Sequence, residues 1–364
     1  MAECLAAVVT DFNEPLQVRS VKIPDLEPSA MLMRVDAATL CGTDGHFWHG
    51  ALIGGNNLPY IPGHETAGSI VEMRGERSDV MGQPLERGDR IISAYPFCGH
   101  CFYCTVARQP TLCPTGFRYG RVRCDQPPYL LGGCAEFHYV PPDSDVIRIP
   151  DEVSSPLAAS AACALRTVMH GFERLGPLAS HETVLVQGCG PVGLYALAVA
   201  KDRGARSVMV FGDPDDRLEV AKAWGADETL SLNSHPDLAV RRQWVMDQTS
   251  GRGADVVIQA ANTAAIPEGL DLVRPGGRYL SIGGGGGDIT IPAAILSGKF
   301  LQFIGVRAAE GRHFYQALDF LATRKDVPFG RLITGEYTLS QTTEALQAMA
   351  ELREVKPVIF PDRA

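Results

Sequence analysis

"VLVQGCGPVG", residues 184–193, decides how the second half of the chain is read. A short apolar run leads directly into glycines at 188, 190 and 193, and the residues that follow, "LYALAVAKDRG", are compatible with a helix. Three glycines at this spacing arise by chance in a glycine-rich chain, and this one has 38 glycines among 364 residues. Between a strand and a helix the pattern acquires a physical purpose. Glycine permits a tight turn and close approach of the backbone to a pyrophosphate, and the helix N-terminus offers that group free N–H donors and a favourable dipole. An ordinary strand-to-helix turn is the competing reading.

Outward from this turn, strand-like and helix-like segments alternate. "SVMVFG" (207–212), "ADVVIQAA" (254–261), "RYLSIGG" (278–284) and "FLQFIGV" (300–306) read as strands; "DPDDRLEVAKAWG" (213–225) and "IPEGLDLVRPGG" (266–277) read as helical or helix-ending stretches. Such alternation predicts a doubly wound parallel sheet of the Rossmann kind, with Gly188, Gly190, Pro191, Val192 and Gly193 holding a dinucleotide. Gly212 takes the tip of the second strand, where small residues make room for a 2'-phosphate. Asp213 and Asp215 bring negative charge there, opposed by Arg217. The balance favours NAD, with NADP as the alternative, and Asp213 as a helix cap is an equal reading. The glycine run 283–287 reads as a flexible loop after a strand.

The first 160 residues have a different texture. "LAAVV", "MLMRVDAA", "GSIVEM", "DRIISAY" and "CAEFHYV" are short strand candidates divided by Gly/Pro turns, which predicts a β-rich barrel or sandwich. The tail adds an amphipathic "RHFYQALDFLATR" (312–324) and a strand-like "KPVIFP" (356–361). The net charge is −9 and no basic stripe is visible, which argues against nucleic acid as the main partner. No stretch reaches the roughly 18 apolar residues of a membrane span, and the N-terminus has no signal-peptide pattern. A cytoplasmic location follows as the expectation, and there ten closely used cysteines favour metal over disulfides.

Two groups of metal-ligand residues stand out. Cys98, Cys101, Cys104 and Cys113 lie within sixteen residues, a spacing that lets four thiolates converge on one closed, tetrahedral, structural zinc. A redox pair or disulfides are the alternatives for these four. A dispersed set, Cys41 in "CGTDGH", His64 in "GHE" and Cys163 in "SAACALRTVMHG", would leave a fourth position on a zinc ion open for chemistry. Singly, each of these three also reads as a buried cysteine or a satisfied turn histidine.

Taken together, these parts resemble the zinc-dependent medium-chain dehydrogenase/reductase superfamily of alcohol and polyol dehydrogenases. The order "CGTDGH", "PGHETAGSIVE", the cysteine lobe, "GGCAEF", "GCGPVG", "LVRPGG" and "KPVI" carries the likeness along nearly the whole chain. The resemblance implies an α/β fold with a GroES-like β-rich catalytic domain (1–164 and 307–364) and a Rossmann nicotinamide-dinucleotide domain (165–306). It also implies two zinc ions per chain, hydride transfer between an alcohol or polyol and NAD(P), a small-molecule alcohol or carbonyl substrate, and a homodimer or homotetramer. Cys41, His64 and Cys163 resemble the catalytic zinc ligands. Asp44 resembles the group that fixes the His64 tautomer, Thr43 the hydroxyl that takes the substrate proton, and His46 the end of a proton relay, with His49 close by. Glu65 resembles a carboxylate able to replace water on the metal. One departure is the last gap of the cysteine lobe: eight residues, Thr105 to Leu112, where the family has seven, so Cys113 is the ligand to check. A zinc-free quinone or enoyl reductase of the same superfamily and a non-catalytic zinc-binding interaction protein are the other two functional classes. The segments 45–60 and 115–129 are substrate-pocket loops by the same likeness; Phe47, Trp48 and Tyr95 are either pocket or core, and Cys189 is a position open to oxidation.

Overall fold

The computed structural model describes residues 2–51, 57–284 and 287–363. The chain forms two compact units, one of Met1–Arg166, Ala308–Arg324 and Ile333–Ala364, the other of Thr167–Arg307 and Lys325–Leu332.

The first unit opens with an antiparallel pair, β1 (Glu3–Val8) and β2 (Gln17–Lys22). Then follow β3 (Met31–Thr39), β4 (Glu65–Met73), β5 (Arg90–Ser93), β6 (Phe137–Val140) and β7 (Val146–Arg148). The second unit contributes β8 (Thr183–Gln187), β9 (Ser207–Gly212), β10 (Glu228–Ser231), β11 (Ala254–Gln259), β12 (Val273–Ser281) and β13 (Gln302–Gly305). The chain returns to the first unit for β14 (Ile333–Tyr337) and β15 (Lys356–Ile359).

In the second unit the strands run parallel in the order β10-β9-β8-β11-β12-β13. Every residue of β8 and β11 is buried, as central strands covered on both faces require, and this is why their centres, Val184–Val186 and Val256–Ile258, are consecutive apolar residues without alternation. The helix Pro191–Asp202 follows β8 directly, with Pro191 at its first turn. Gly188 is held at φ +112, a left-handed conformation that favours glycine. The doubly wound sheet anticipated from the sequence is therefore present. The expected helix "IPEGLDLVRPGG" stops at Leu272, and β12 already begins at Val273.

In the first unit the sheet order is β14-β15-β3-β4-β5-β7, with β6 also paired to β3. Its register builds a site. Thr39, the last residue of β3, pairs with Glu65, the first of β4, and Val358 of β15 pairs with Thr39 from the other side. Cys41 lies two residues beyond the end of β3, and His64 lies one residue before the start of β4. Antiparallel pairing thus delivers both to the same sheet edge. Cys163 reaches that region from a π-helical turn, Ala161–Leu165, continuing the helix Ser155–Ser160, which packs on β3 and β4. A π-turn inserted in a helix is frequently a functional feature.

No helix of the described residues is long and apolar enough to cross a membrane. Residues 52–56 of the expected pocket loop and residues 285–286 of the glycine run lie outside the described residues.

Candidate metal centres and nucleotide turn

Cys41 caps the short helix Gly42–Trp48, and its sulfur accepts from the Thr43 backbone N–H at 3.4 Å. Asp44 closes the cap by accepting from the Cys41 N–H at 2.9 Å. The same carboxylate, 1% exposed, accepts from the Gly63 N–H at 3.1 Å and faces His64 Nδ1 at 3.0 Å. A proton fixed on Nδ1 leaves Nε2 as the free donor atom, so Asp44 sets both the tautomer and the orientation of His64.

His64 Nε2 lies 3.4 Å from Cys41 Sγ and 3.4 Å from Cys163 Sγ. Tetrahedral zinc with ordinary Zn–N and Zn–S bonds sets such atoms about 3.6 Å apart. The donor set therefore fits a zinc ion with little rearrangement. Glu65 belongs to the same cluster, in which one ligand atom from each residue lies within 4.8 Å of the others.

Before a metal arrives, the surroundings push Cys41 towards its thiolate and His64 towards its imidazolium form. The hydrogen bond with Cys163 is the main cause that holds the Cys41 thiol well below its ordinary value, helped by His64. Burial works against a charged His64 ring, but Asp44, Tyr95 and the two sulfurs together raise it well above its ordinary value. Cys163 is raised, chiefly by its bond with Cys41. Burial also raises Glu65, to about 7, against the pull of Lys356.

A ligand must be deprotonated, so a divalent ion entering this site displaces one proton from His64 and one from Cys163. Below the raised His64 value the bound proton competes with metal, and apparent affinity should climb as pH rises. We expect release of about two protons per ion near neutral pH with the four-cysteine site already filled. Calorimetry in buffers of different ionisation heat measures this, and release of only about one would show that His64 is already neutral.

Thr43 and His46 sit three apart on the helix Gly42–Trp48, hence on one face, both partly exposed. They are next to the cluster rather than in it. His49 is exposed and pairs with Asn13 Oδ1 at 2.7 Å, which leaves His46 as the histidine on the Thr43 face. Phe47, Trp48 and Tyr95 are all buried in the main apolar core of this unit.

The second cluster unites Cys98, Cys101, Cys104 and Cys113. Cys104 Sγ is 3.9 Å from Cys98 Sγ and 3.5 Å from Cys101 Sγ, close to the roughly 3.8 Å expected across tetrahedral zinc. In the longer last gap, Arg108 turns left-handed at φ +52 and residues Pro110–Leu112 form a 3-10 turn capped by Cys113, which brings the fourth sulfur to the cluster.

At the nucleotide turn, Gly188, Gly190 and Gly193 lie between β8 and its helix, with Pro191 and Val192 opening that helix. Asp213 directly follows the end of β9, and Arg217, three residues into the helix Asp215–Ala223, is buried. Cys189 is buried, and burial pushes its thiol up to about 11, the opposite of an oxidation-prone thiolate.

Sequence reasoning missed Thr39 and Lys356. Lys356 is fully buried and donates to Glu65 Oε1 at 2.7 Å, while the Thr39 hydroxyl donates to Glu65 Oε2 at 2.5 Å. The one available signal was a lysine heading the apolar "KPVIF".

Residues 27–151 match the family model "Alcohol dehydrogenase GroES-like domain" and residues 191–323 match "Zinc-binding dehydrogenase". The chain is similar to 5-exo-hydroxycamphor dehydrogenase of Pseudomonas putida, 33% identical over 362 residues covering 97% of this chain and 98% of the relative. It is also similar to erythritol/L-threitol dehydrogenase of Mycolicibacterium smegmatis, 30% identical over 99% of this chain and 98% of the relative. The crystal structure of an alcohol dehydrogenase from Thermotoga maritima superposes with a TM-score of 0.92 at 31% identity, covering 100% of both chains.

Proposed function

Because this chain belongs to the zinc-dependent medium-chain alcohol dehydrogenases, we propose that it interconverts an alcohol or polyol and its carbonyl with NAD(P) as hydride partner, using one catalytic and one structural zinc. The observation that carries this reading is the convergence of Cys41, His64 and Cys163 at 3.4 Å spacings, with Asp44 behind the histidine. A zinc-free reductase would have no use for that donor set, and a pure interaction module would have no use for the nucleotide turn.

Cys41, His64 and Cys163 would hold a zinc ion, which would supply Lewis-acid polarisation of a substrate oxygen. The protein's own groups do the rest. Asp44 keeps His64 ligating through Nε2. The Thr43 hydroxyl takes the substrate proton during oxidation and returns it during reduction, and His46, on the same helical face, passes it towards solvent. Cys98, Cys101, Cys104 and Cys113 hold the structural ion. The backbone at Gly188, Gly190, Pro191, Val192 and Gly193 receives the dinucleotide pyrophosphate, and Asp213, with Arg217 behind it, meets the adenosine ribose in a manner that favours NAD. In this reading residues 1–164 and 307–364 form the GroES-like catalytic domain and 165–306 the Rossmann domain. A cytoplasmic location accords with ten cysteines that form no disulfide, and the same family reading makes the protein a homodimer or homotetramer.

The test is a coupled screen of alcohols and polyols with NAD and with NADP, run beside metal analysis. Reduction of the nucleotide by at least one alcohol, with about two zinc per chain, is expected. A folded protein with no zinc and no turnover across the panel would overturn the reading.

A further inference from the structure

Glu65 has a structural explanation that its place beside the metal cluster does not supply. The Cys41 and Cys163 thiolates already balance a divalent ion, so a third carboxylate charge at the ion is not needed for neutrality. A ligating oxygen would stand about 3.3 Å from His64 Nε2 in a tetrahedral zinc site. Glu65 Oε1 stands at 3.9 Å, outside that shell but a short swing away. What holds it there is Lys356. Its ammonium is fully buried, 2.7 Å from Oε1 and 2.5 Å from Oε2, and Thr39 adds a hydroxyl donor at 2.5 Å.

These three side chains are set by the sheet and not by a loop. Thr39 is the direct partner of Glu65 on β4 and of Val358 on β15, and Lys356 is two residues from Val358, on the same face. Moving Glu65 onto the ion would break its bonds to Lys356 and leave a buried ammonium without its counter-charge, which is strongly unfavourable. We propose that Lys356 is a positioning residue which, with Thr39, holds the Glu65 carboxylate off the metal so that the fourth coordination position stays open to a substrate oxygen.

The proposal rests on the zinc reading above, and the experiment separates the two. Cobalt is exchanged into the catalytic site, and imidazole is titrated while the visible d–d bands of the metal are followed. Lys356→Met frees Glu65 to occupy the open position. It should weaken imidazole binding at least about tenfold, the scale on which partners of metal-site carboxylates and histidines act, with a matching fall in kcat/KM. Adding Glu65→Gln to that variant removes the competing carboxylate and should restore imidazole affinity to near wild type, a rescue that a merely structural lysine would not show. Lys356→Arg should stay close to wild type, and Lys356→Gln, which keeps a hydrogen bond without the charge, carries the test if the methionine variant does not fold. Imidazole affinity unchanged in Lys356→Gln or Lys356→Met, or unrestored by Glu65→Gln, overturns the proposal and leaves the zinc reading standing. Wild-type protein that takes up no metal at Cys41, His64 and Cys163 overturns both.

Discussion

On the proposed two-zinc reading, His64→Ala is expected to cost one of the two ions and to lower turnover by at least about 10³-fold, because the polarisation a metal contributes is worth several kcal/mol. The substitution removes the atom that lies 3.4 Å from both the Cys41 and the Cys163 sulfur. It also leaves the Asp44 carboxylate, buried at 1% exposure, with the Cys41 and Gly63 backbone N–H groups as its remaining hydrogen-bond donors among the described residues. A stability loss of about 1–3 kcal/mol should accompany this, since a buried acceptor keeps its desolvation cost when its partner is deleted. Metal analysis, circular dichroism and the alcohol assay on the same preparation check it. Turnover within tenfold of wild type in a folded variant would mean that the reactive centre lies elsewhere. The four-cysteine site should keep its ion throughout, because its ligands come from a separate loop, Cys98–Cys113.

How far such a site can be read from sequence depends on whether its parts are local. The glycine turn was legible because strand, turn and helix are contiguous, and the family resemblance and α/β class inferred partly from it are borne out by the sheet order and by the relatives. Cys98, Cys101 and Cys104 were legible for the same reason. β2 was not, because five of its six residues are exposed and leave no alternating apolar pattern. The π-turn carrying Cys163 was not, since "AACAL" has ordinary helical composition and only packing reveals the extra residue in the turn. Lys356 was the least legible of all. It meets Glu65 from 291 residues away, and what makes it informative is its complete burial, a property of the folded sheet that its neighbours in sequence do not announce.

Two neighbouring glycines separate what the nucleotide turn needs in order to fold from what it needs in order to bind. A Cβ on Gly193 would fall 1.8 Å from the Gly188 carbonyl oxygen and 2.8 Å from its carbon, both backbone atoms. Gly188 cannot retreat freely, for it is held at φ +112 with the backbone of Ala260 and Ala261 about its own Cβ position at 3.1 Å. Gly193→Ala must therefore push the helix Pro191–Asp202 away from β8, at a cost of about 1–3 kcal/mol as in other overpacked cores. Displacing the pyrophosphate donors by about 1 Å should lower kcat/KM for the nucleotide about 10²-fold. Gly190→Ala is the counterpart. Its Cβ meets nothing within 4 Å, and its φ of −78 suits alanine, so the melting temperature should not fall. If the pyrophosphate lies against this turn, that methyl group occupies the space the nucleotide backbone needs, and NAD(H) affinity should drop while stability holds. Fluorescence titration with NADH beside thermal melting distinguishes the two: Gly193→Ala loses both properties, Gly190→Ala only binding. Wild-type NADH affinity in Gly190→Ala would place the phosphates away from the turn and leave Gly188, Gly190 and Gly193 as a folding device alone.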